Sequence, residues 1–310
     1  MKKSIILAIV VLVVLVGVVF LVSNKNVSDQ ESNNKVGATI FPIYDITKQI
    51  AGDEFEVVLL LPPGASPHTF DPQPSLLKDL QGSQTVFAIG HGLDDWSDTV
   101  AQSIDAPVVV VDHNIELRAT EEEHEHSGEN EQVEGHEHDD GPIDPHYWLS
   151  IHNAKQIAMN IANQLSSLDS EHASLYMQRA EKYTKKLDAL EIDLHAQSAN
   201  LPNRNIISIH DAWYYFADEF GFNLVGTFEP SAGKEPTPQY LANLEEEVEA
   251  DNVSTIFMEP QLSTASIQAF ANDHNLSLAV IDPLGGVEGR NSYIELMRYN
   301  IEQVVNALTK

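Results

Sequence analysis

The sequence predicts an α/β protein of two lobes, each a mainly parallel sheet flanked by helices, joined by one long rigid helix. Three observations predict it. From Val36 onward, short apolar runs alternate with amphipathic stretches, and the pattern occurs as two successive sets. The run Pro107–Val111 is apolar without interruption, as a strand buried on both faces of a parallel sheet would be. Between the two sets, DSEHASLYMQRAEKYTKKLDALEIDLHAQSAN (169–200) contains neither Gly nor Pro.

The chain has 310 residues, 43% of them hydrophobic, enough for a sizeable core. It opens MKKSIILAIVVLVVLVGVVFLVSNKN, in which Lys2 and Lys3 precede an apolar run from Ile5 to Val22. At ~1.5 Å per residue that run spans about 27 Å, close to the ~30 Å hydrocarbon core of a bilayer. A secretory signal has a shorter run and a small-residue cleavage site, and no A-x-A pattern follows Val22. Residues 1–22 are therefore read as a membrane anchor in preference to a cleaved signal, and residues 23–35 as a polar tether. The paired lysines favour a cytoplasmic N-terminus, which places the rest outside. The absence of cysteine excludes a lipid on an N-terminal Cys, disulfides and iron–sulfur clusters, so any metal must be held by His and carboxylate.

Residues 36–168 form the expected N-terminal lobe, with strands at 36–40, 55–61, 84–90 and 107–112 and helices near 43–52, 73–80, 94–103 and 152–165. The linking helix covers 169–200, with Asp169 as its N-cap and Leu175, Ala180, Tyr183, Leu187, Leu190 and Leu194 at helical spacing. Residues 201–310 form the C-terminal lobe, with strands at 205–210, 222–228, 254–259 and 277–282 and helices near 212–220, 237–250, 264–274 and 291–309.

A net charge of −30 repels phosphate backbones and argues against nucleic acid. Part of that charge sits in ATEEEHEHSGENEQVEGHEHDDGPID (119–144), which has almost nothing apolar and is expected to be disordered without metal. Within it, His124 pairs with His126, and His136 with His138, and each pair offers a weak, exchangeable metal site. A solvated spacer is the competing reading.

In parallel sheets, ligands bind beyond the carboxyl ends of the strands. His68 lies in the loop PPGASPHTFDP, His146 in DPHYWLS, His210 closes a predicted strand, and Asp282 closes another before Pro-Leu-Gly-Gly. Two come from each lobe. Each also has an ordinary reading, a hydrogen-bonded strand-end histidine or a turn-starting Asp, and the residues alone leave both open.

The segments GATIFPIYDITKQIAGDEFEVVLLLPPGASPHTFDPQPSLLKDLQGSQTVFAIGHGLDDW, DPHYWLS, ISIHDAWYYFADEFGF and FMEPQLS…VIDPLGG, in this order, resemble the zinc and manganese substrate-binding proteins of ABC importers, from about Gly37 to Leu308. The resemblance implies two α/β lobes bridged by a long helix. It makes His68, His146, His210 and Asp282 the ligands of one metal ion held between them. It also implies a permease and its ATPase as partners, and a location on the outer face of the cytoplasmic membrane or in the periplasm. Manganese-type members usually have Glu where this chain has His210. Three imidazoles and a carboxylate suit Zn²⁺, with Mn²⁺ the alternative. Glu259 is read as an auxiliary ligand, an orienting partner or a simple cap. His91 is read as a cleft-edge residue, and Tyr147, Trp148, Trp213 and Tyr214 as packing around the metal. His113, His152, His172, His195 and His274 are read as solvent-facing or capping. The chain is expected to act as a monomer with small lobe closure. A zinc-dependent hydrolase and a metal-stabilised surface adhesin are the readings from other classes.

Overall fold

The computed structural model describes residues 34–120, 142–229, 234–262 and 265–309. The anchor at 1–22 and nearly all of the tether lie outside the described residues. So do His124, His126, His136 and His138, the four histidines expected to form weak metal sites in the acidic stretch.

The first lobe runs β1 (Lys35–Ala38), α1 (Phe41–Ala51), β2 (Glu56–Leu59), α2 (Pro74–Leu80), β3 (Ser83–Ala88), α3 (Trp96–Ser103), β4 (Val108–Val110) and α4 (Ile151–Leu168). After α5 (Ala173–Ser198) the second lobe runs β5 (Asn205–Ser208), α6 (Tyr214–Phe220), β6 (Asn223–Thr227), α7 (Pro238–Ala250), β7 (Thr255–Met258), α8 (Ala265–Asp273), β8 (Ser277–Val280) and α9 (Tyr293–Leu308). Each lobe holds a four-stranded sheet, ordered β2-β1-β3-β4 and β6-β5-β7-β8, and all pairings are parallel. The expected fold class is the observed one.

Helix boundaries follow local chemistry. Ser150, Thr237 and Ser292 accept from Asn153 N, Tyr240 N and Glu295 N, capping α4, α7 and α9. Gly221 stops α6 with φ 69°, a left-handed conformation that glycine adopts without strain.

Three expectations are corrected. The apolar run at Pro107–Val111 is not buried on both faces: β4 is an edge strand, and Val110 is 38% exposed. Asp169 is not the N-cap of the linking helix but braces the turn between α4 and α5. It caps the end of α4, and its carboxylate accepts from His172 Nδ1 and Tyr176 Oη, both at 2.7 Å. Tyr176, not Leu175, takes the first buried position of α5. The linking helix packs along α4, α1 and α9.

One contiguous apolar core runs through α1, α4, α5, α6 and α9 and reaches strands of both sheets. Buried polar bonds cross between lobes in the same region. Tyr293 N donates to Asp45 Oδ2 (2.9 Å), Tyr293 Oη to Trp148 O (2.7 Å), and Trp148 Nε1 to Pro283 O (2.8 Å). Gly286, at φ 78°, lies so close to Phe41 that a Cβ there would meet the ring at 3.0 Å. Among the described residues no helix is long and apolar enough to cross a membrane.

Candidate metal centre

The second sheet reverses its strand order between β5 and β7, the point at which parallel sheets open a crevice. His210 lies just beyond β5, Glu259 follows β7 directly, and Asp282 lies just beyond β8. His210 is extended (φ −137°, ψ 177°), and Ser208 Oγ donates to its carbonyl at 2.6 Å.

The first lobe supplies two more histidines from 3₁₀ turns. His68 sits in the turn Pro67–Thr69, pinned by Trp96 Nε1 donating to Pro67 O (3.0 Å). His146 precedes the turn Tyr147–Leu149, which is tied down by Tyr147 Oη donating to Ile89 O (2.9 Å).

These turns bring His68, His146 and His210 to one point. One ring nitrogen of each lies within 4.8 Å of the others. The ring centroids form a nearly equilateral triangle with sides of 5.5, 5.6 and 5.3 Å. His146 and His210 are each 3% exposed.

Carboxylates stand behind two of the rings. His146 Nδ1 lies 2.9 Å from Asp144 Oδ1, which also accepts from His146 N at 2.9 Å. His210 Nδ1 lies 2.8 Å from Glu259 Oε1, which accepts from Trp213 Nε1 at 2.7 Å. A carboxylate hydrogen-bonded to Nδ1, as at His146, fixes the ring and its tautomer and leaves Nε2 for a metal. The cleft has a cavity volume of about 10 Å³, room for a water-sized sphere, with Pro67, Trp148 and Leu284 among its walls. This is far below the ~300–1,000 Å³ pockets that take drug-sized molecules.

Asp282 is not part of the three-histidine group. Its Oδ1 accepts from Gln261 Nε2 (2.9 Å) and Leu284 N (3.0 Å), and its Oδ2 lies 3.3 Å from Arg290 Nε. Its backbone is clamped by Asn300, which accepts from Asp282 N and donates to Asp282 O, both at 2.8 Å. Gln261, next to this carboxylate, and Pro283 both line the cleft.

The other expected residues distribute as follows. His91 is outside the group and pairs with Asp112 (2.9 Å). Trp148 packs 5.3 Å from the His146 ring, and Trp213 holds Glu259. Tyr147 Oη donates to Ile89 O, and Tyr214 stacks under Arg118 at 4.1 Å. His113, His152 and His195 are exposed; His172 pairs with Asp169, and His274 lies 3.6 Å from Glu245. The auxiliary sites expected at His124, His126, His136 and His138 fall outside the described residues. His195 gathers with Glu191 and Glu219 into a second group of metal-capable atoms. Its carboxylates are engaged, Glu191 by Lys155 (2.8 Å) and Glu219 by His152 N (3.3 Å). Burial pushes the Glu219 carboxyl above its ordinary value.

Sequence reasoning missed Asp144, Arg290 and Asn300. Asp144 had a local signal, an acidic residue two places before His146. Arg290 and Asn300 had none, because only the fold brings them to residue 282.

Residues 36–307 match the family described as zinc-uptake complex component A, periplasmic. The chain is 25% identical to the manganese-binding lipoprotein MntA of Halalkalibacterium halodurans, with all of both chains covered. It is 27% identical to the zinc-binding protein AdcA of Streptococcus pyogenes serotype M3 over 88% of its own length, and spans 55% of that protein. The crystal structure of ZnuA superposes with a TM-score of 0.76 at 25% identity, covering 89% of this chain and 99% of that one.

Proposed function

The chain belongs to the zinc-uptake complex component A family, and from that premise we propose that it captures Zn²⁺ between its lobes and delivers it to an ABC permease driven by an ATPase. It is a binding protein and not an enzyme, so the hydrolase reading is set aside. The observation that carries the proposal is the convergence of His68, His146 and His210, from three separate loops, around one buried point.

The ligand set we propose is these three imidazoles with Asp282 as the fourth. Tetrahedral zinc, with Zn–N bonds of ~2.0–2.1 Å, accepts three nitrogens and one oxygen. Glu259 and Asp144 are proposed as the groups that orient His210 and His146. The relatives named above bind manganese in one case and zinc in the other. Manganese favours oxygen-rich coordination, and the nitrogen count here is the reason to prefer zinc.

Relatives of the lipoprotein type hold a lipid, whereas this chain has no cysteine to carry one. Anchoring through Ile5–Val22, on the outer face of the membrane, is the corresponding proposal, together with a monomeric state.

The test is metal content and affinity. Protein purified without added metal should contain one tightly held zinc, resistant to competition by a chelator of moderate strength. Ala at His146 or His210 should abolish that resistance. Manganese found in its place, or tight zinc surviving both substitutions, would refute the assignment. His210→Glu should move the preference towards manganese; an unchanged preference would deny residue 210 its selecting role.

A further inference from the structure

We propose that Arg290 is a built-in competitor for the fourth ligand of the cleft. Its guanidinium holds the Asp282 carboxylate when no cargo is present and yields it to an arriving divalent cation. The proposal rests on the zinc-capture reading above and adds a residue that sets how tightly the cargo is held.

Asp282 is 1% exposed, and a carboxylate withdrawn from water needs a compensating charge. The cation beside it is Arg290, whose Nε lies 3.3 Å from Oδ2. The other oxygen is committed, since Oδ1 accepts from both Gln261 Nε2 and Leu284 N. Oδ2 is therefore the oxygen that two cations contest.

The position suits an exchange. Asp282 is followed by Pro283 and Leu284, which with Gln261 form part of the cleft wall. Its backbone cannot drift, because Asn300 holds both N–H and C=O. Arg290 is delivered by a tight turn in which Gly286 N donates to Arg290 O and Arg290 N donates to Val287 O, both at 2.9 Å. Gly285, Gly286 and Gly289 in that turn have φ of 74°, 78° and 79°. The Arg290 guanidinium also lies 4.4 Å from the centre of the Tyr299 ring. An aromatic face retains a cation that has given up its carboxylate.

Metal binding then trades one ion pair for another instead of filling a bare negative site. Affinity is lower than three imidazoles and a free carboxylate would give, and release is easier. That property suits a cargo that must be handed on.

The test compares Arg290→Gln and Arg290→Lys with the wild type in the full chain. Zinc affinity is read by chelator competition, zinc release by stopped flow into excess chelator, and melting temperature with and without zinc. Arg290→Gln should bind zinc at least about tenfold tighter, because the ion then takes Oδ2 without displacing a guanidinium. It should also release zinc more slowly and melt lower without zinc but not with it. Arg290→Lys should return affinity towards the wild-type value. Equal or weaker affinity in Arg290→Gln overturns the proposal, since a guanidinium that merely props Asp282 would give that result.

If the Gln variant fails to fold, the comparison moves to Asp282→Asn, where the contested charge is absent. Adding Arg290→Gln there should leave zinc affinity unchanged, and a further gain would overturn action through Asp282. Wild-type zinc that survives His146→Ala overturns the capture reading and this proposal together. Zinc that depends on His146 but is indifferent to Arg290→Gln overturns this proposal alone.

Discussion

At the scale of single residues, the account turns on which nitrogen of each histidine faces the cleft. His146 and His210 present Nδ1 to Asp144 and Glu259, both of which are buried. Glu259→Gln keeps the volume and removes the charge, and should weaken zinc binding by roughly 10–100-fold. Competition against a chelator measures this; an unchanged affinity would show that Trp213 and packing alone orient the ring. Asp144→Asn should behave in the same direction. Much of this site was legible in advance, because His68, His146 and His210 each stand at a strand end or in a Pro-rich loop. The brace on His210 was only half legible. Glu259 was visible as a strand-end acid, but its bond to Trp213 joins residues 46 apart and depends on β5 and β7 being neighbours. Asp282 marks the limit of such reading: its position past β8 suggested a ligand, and nothing in its surroundings announced Arg290.

At the scale of elements, the N-terminus of α9 latches the two lobes. Tyr293 is fully buried, donating through N to Asp45 on α1 and through Oη to Trp148 O. Tyr293→Phe removes the hydroxyl and leaves a buried carbonyl short of a donor, which should cost about 1–3 kcal/mol in denaturant unfolding. Asp45 gives this latch a pH dependence. Burial pushes its carboxyl above the ordinary 3.8, although the Tyr293 amide and Gln49 pull the other way. An acid whose pKa is raised on folding contributes stability fully below its unfolded value and loses it as pH rises through the folded value. Acidification from neutrality should therefore stabilise the wild type relative to Asp45→Asn, which carries no titrating group. Melting curves across that range check the sign; a difference that grows in favour of the variant on acidification would contradict it. The helices of this latch were readable from apolar spacing and caps, as with Ser292 before α9. The central or edge position of a strand was not. VVV in β4 has the composition of a central strand, yet the chain order places it at the rim.

At the scale of the whole molecule, one core spans both lobes and α5 is packed along its length instead of bridging open space. Opening the lobes as a wide hinge would expose that core and break the Trp148–Pro283 and Tyr293–Trp148 bonds. Capture of the ion should therefore proceed by small local shifts of the loop carrying His68 and of the Asp282 side chain, whose backbone Asn300 clamps. Small-angle scattering profiles with and without zinc should nearly coincide, whereas a large compaction on loading would point to a true hinge. The claim beneath all of this is that one zinc ion sits among three named imidazoles. Anomalous diffraction at the zinc edge, from crystals loaded with one equivalent, tests it most directly. The account predicts a single strong peak ~2.0–2.1 Å from a nitrogen of each of His68, His146 and His210. A principal peak elsewhere, such as between Glu191, His195 and Glu219, would contradict it.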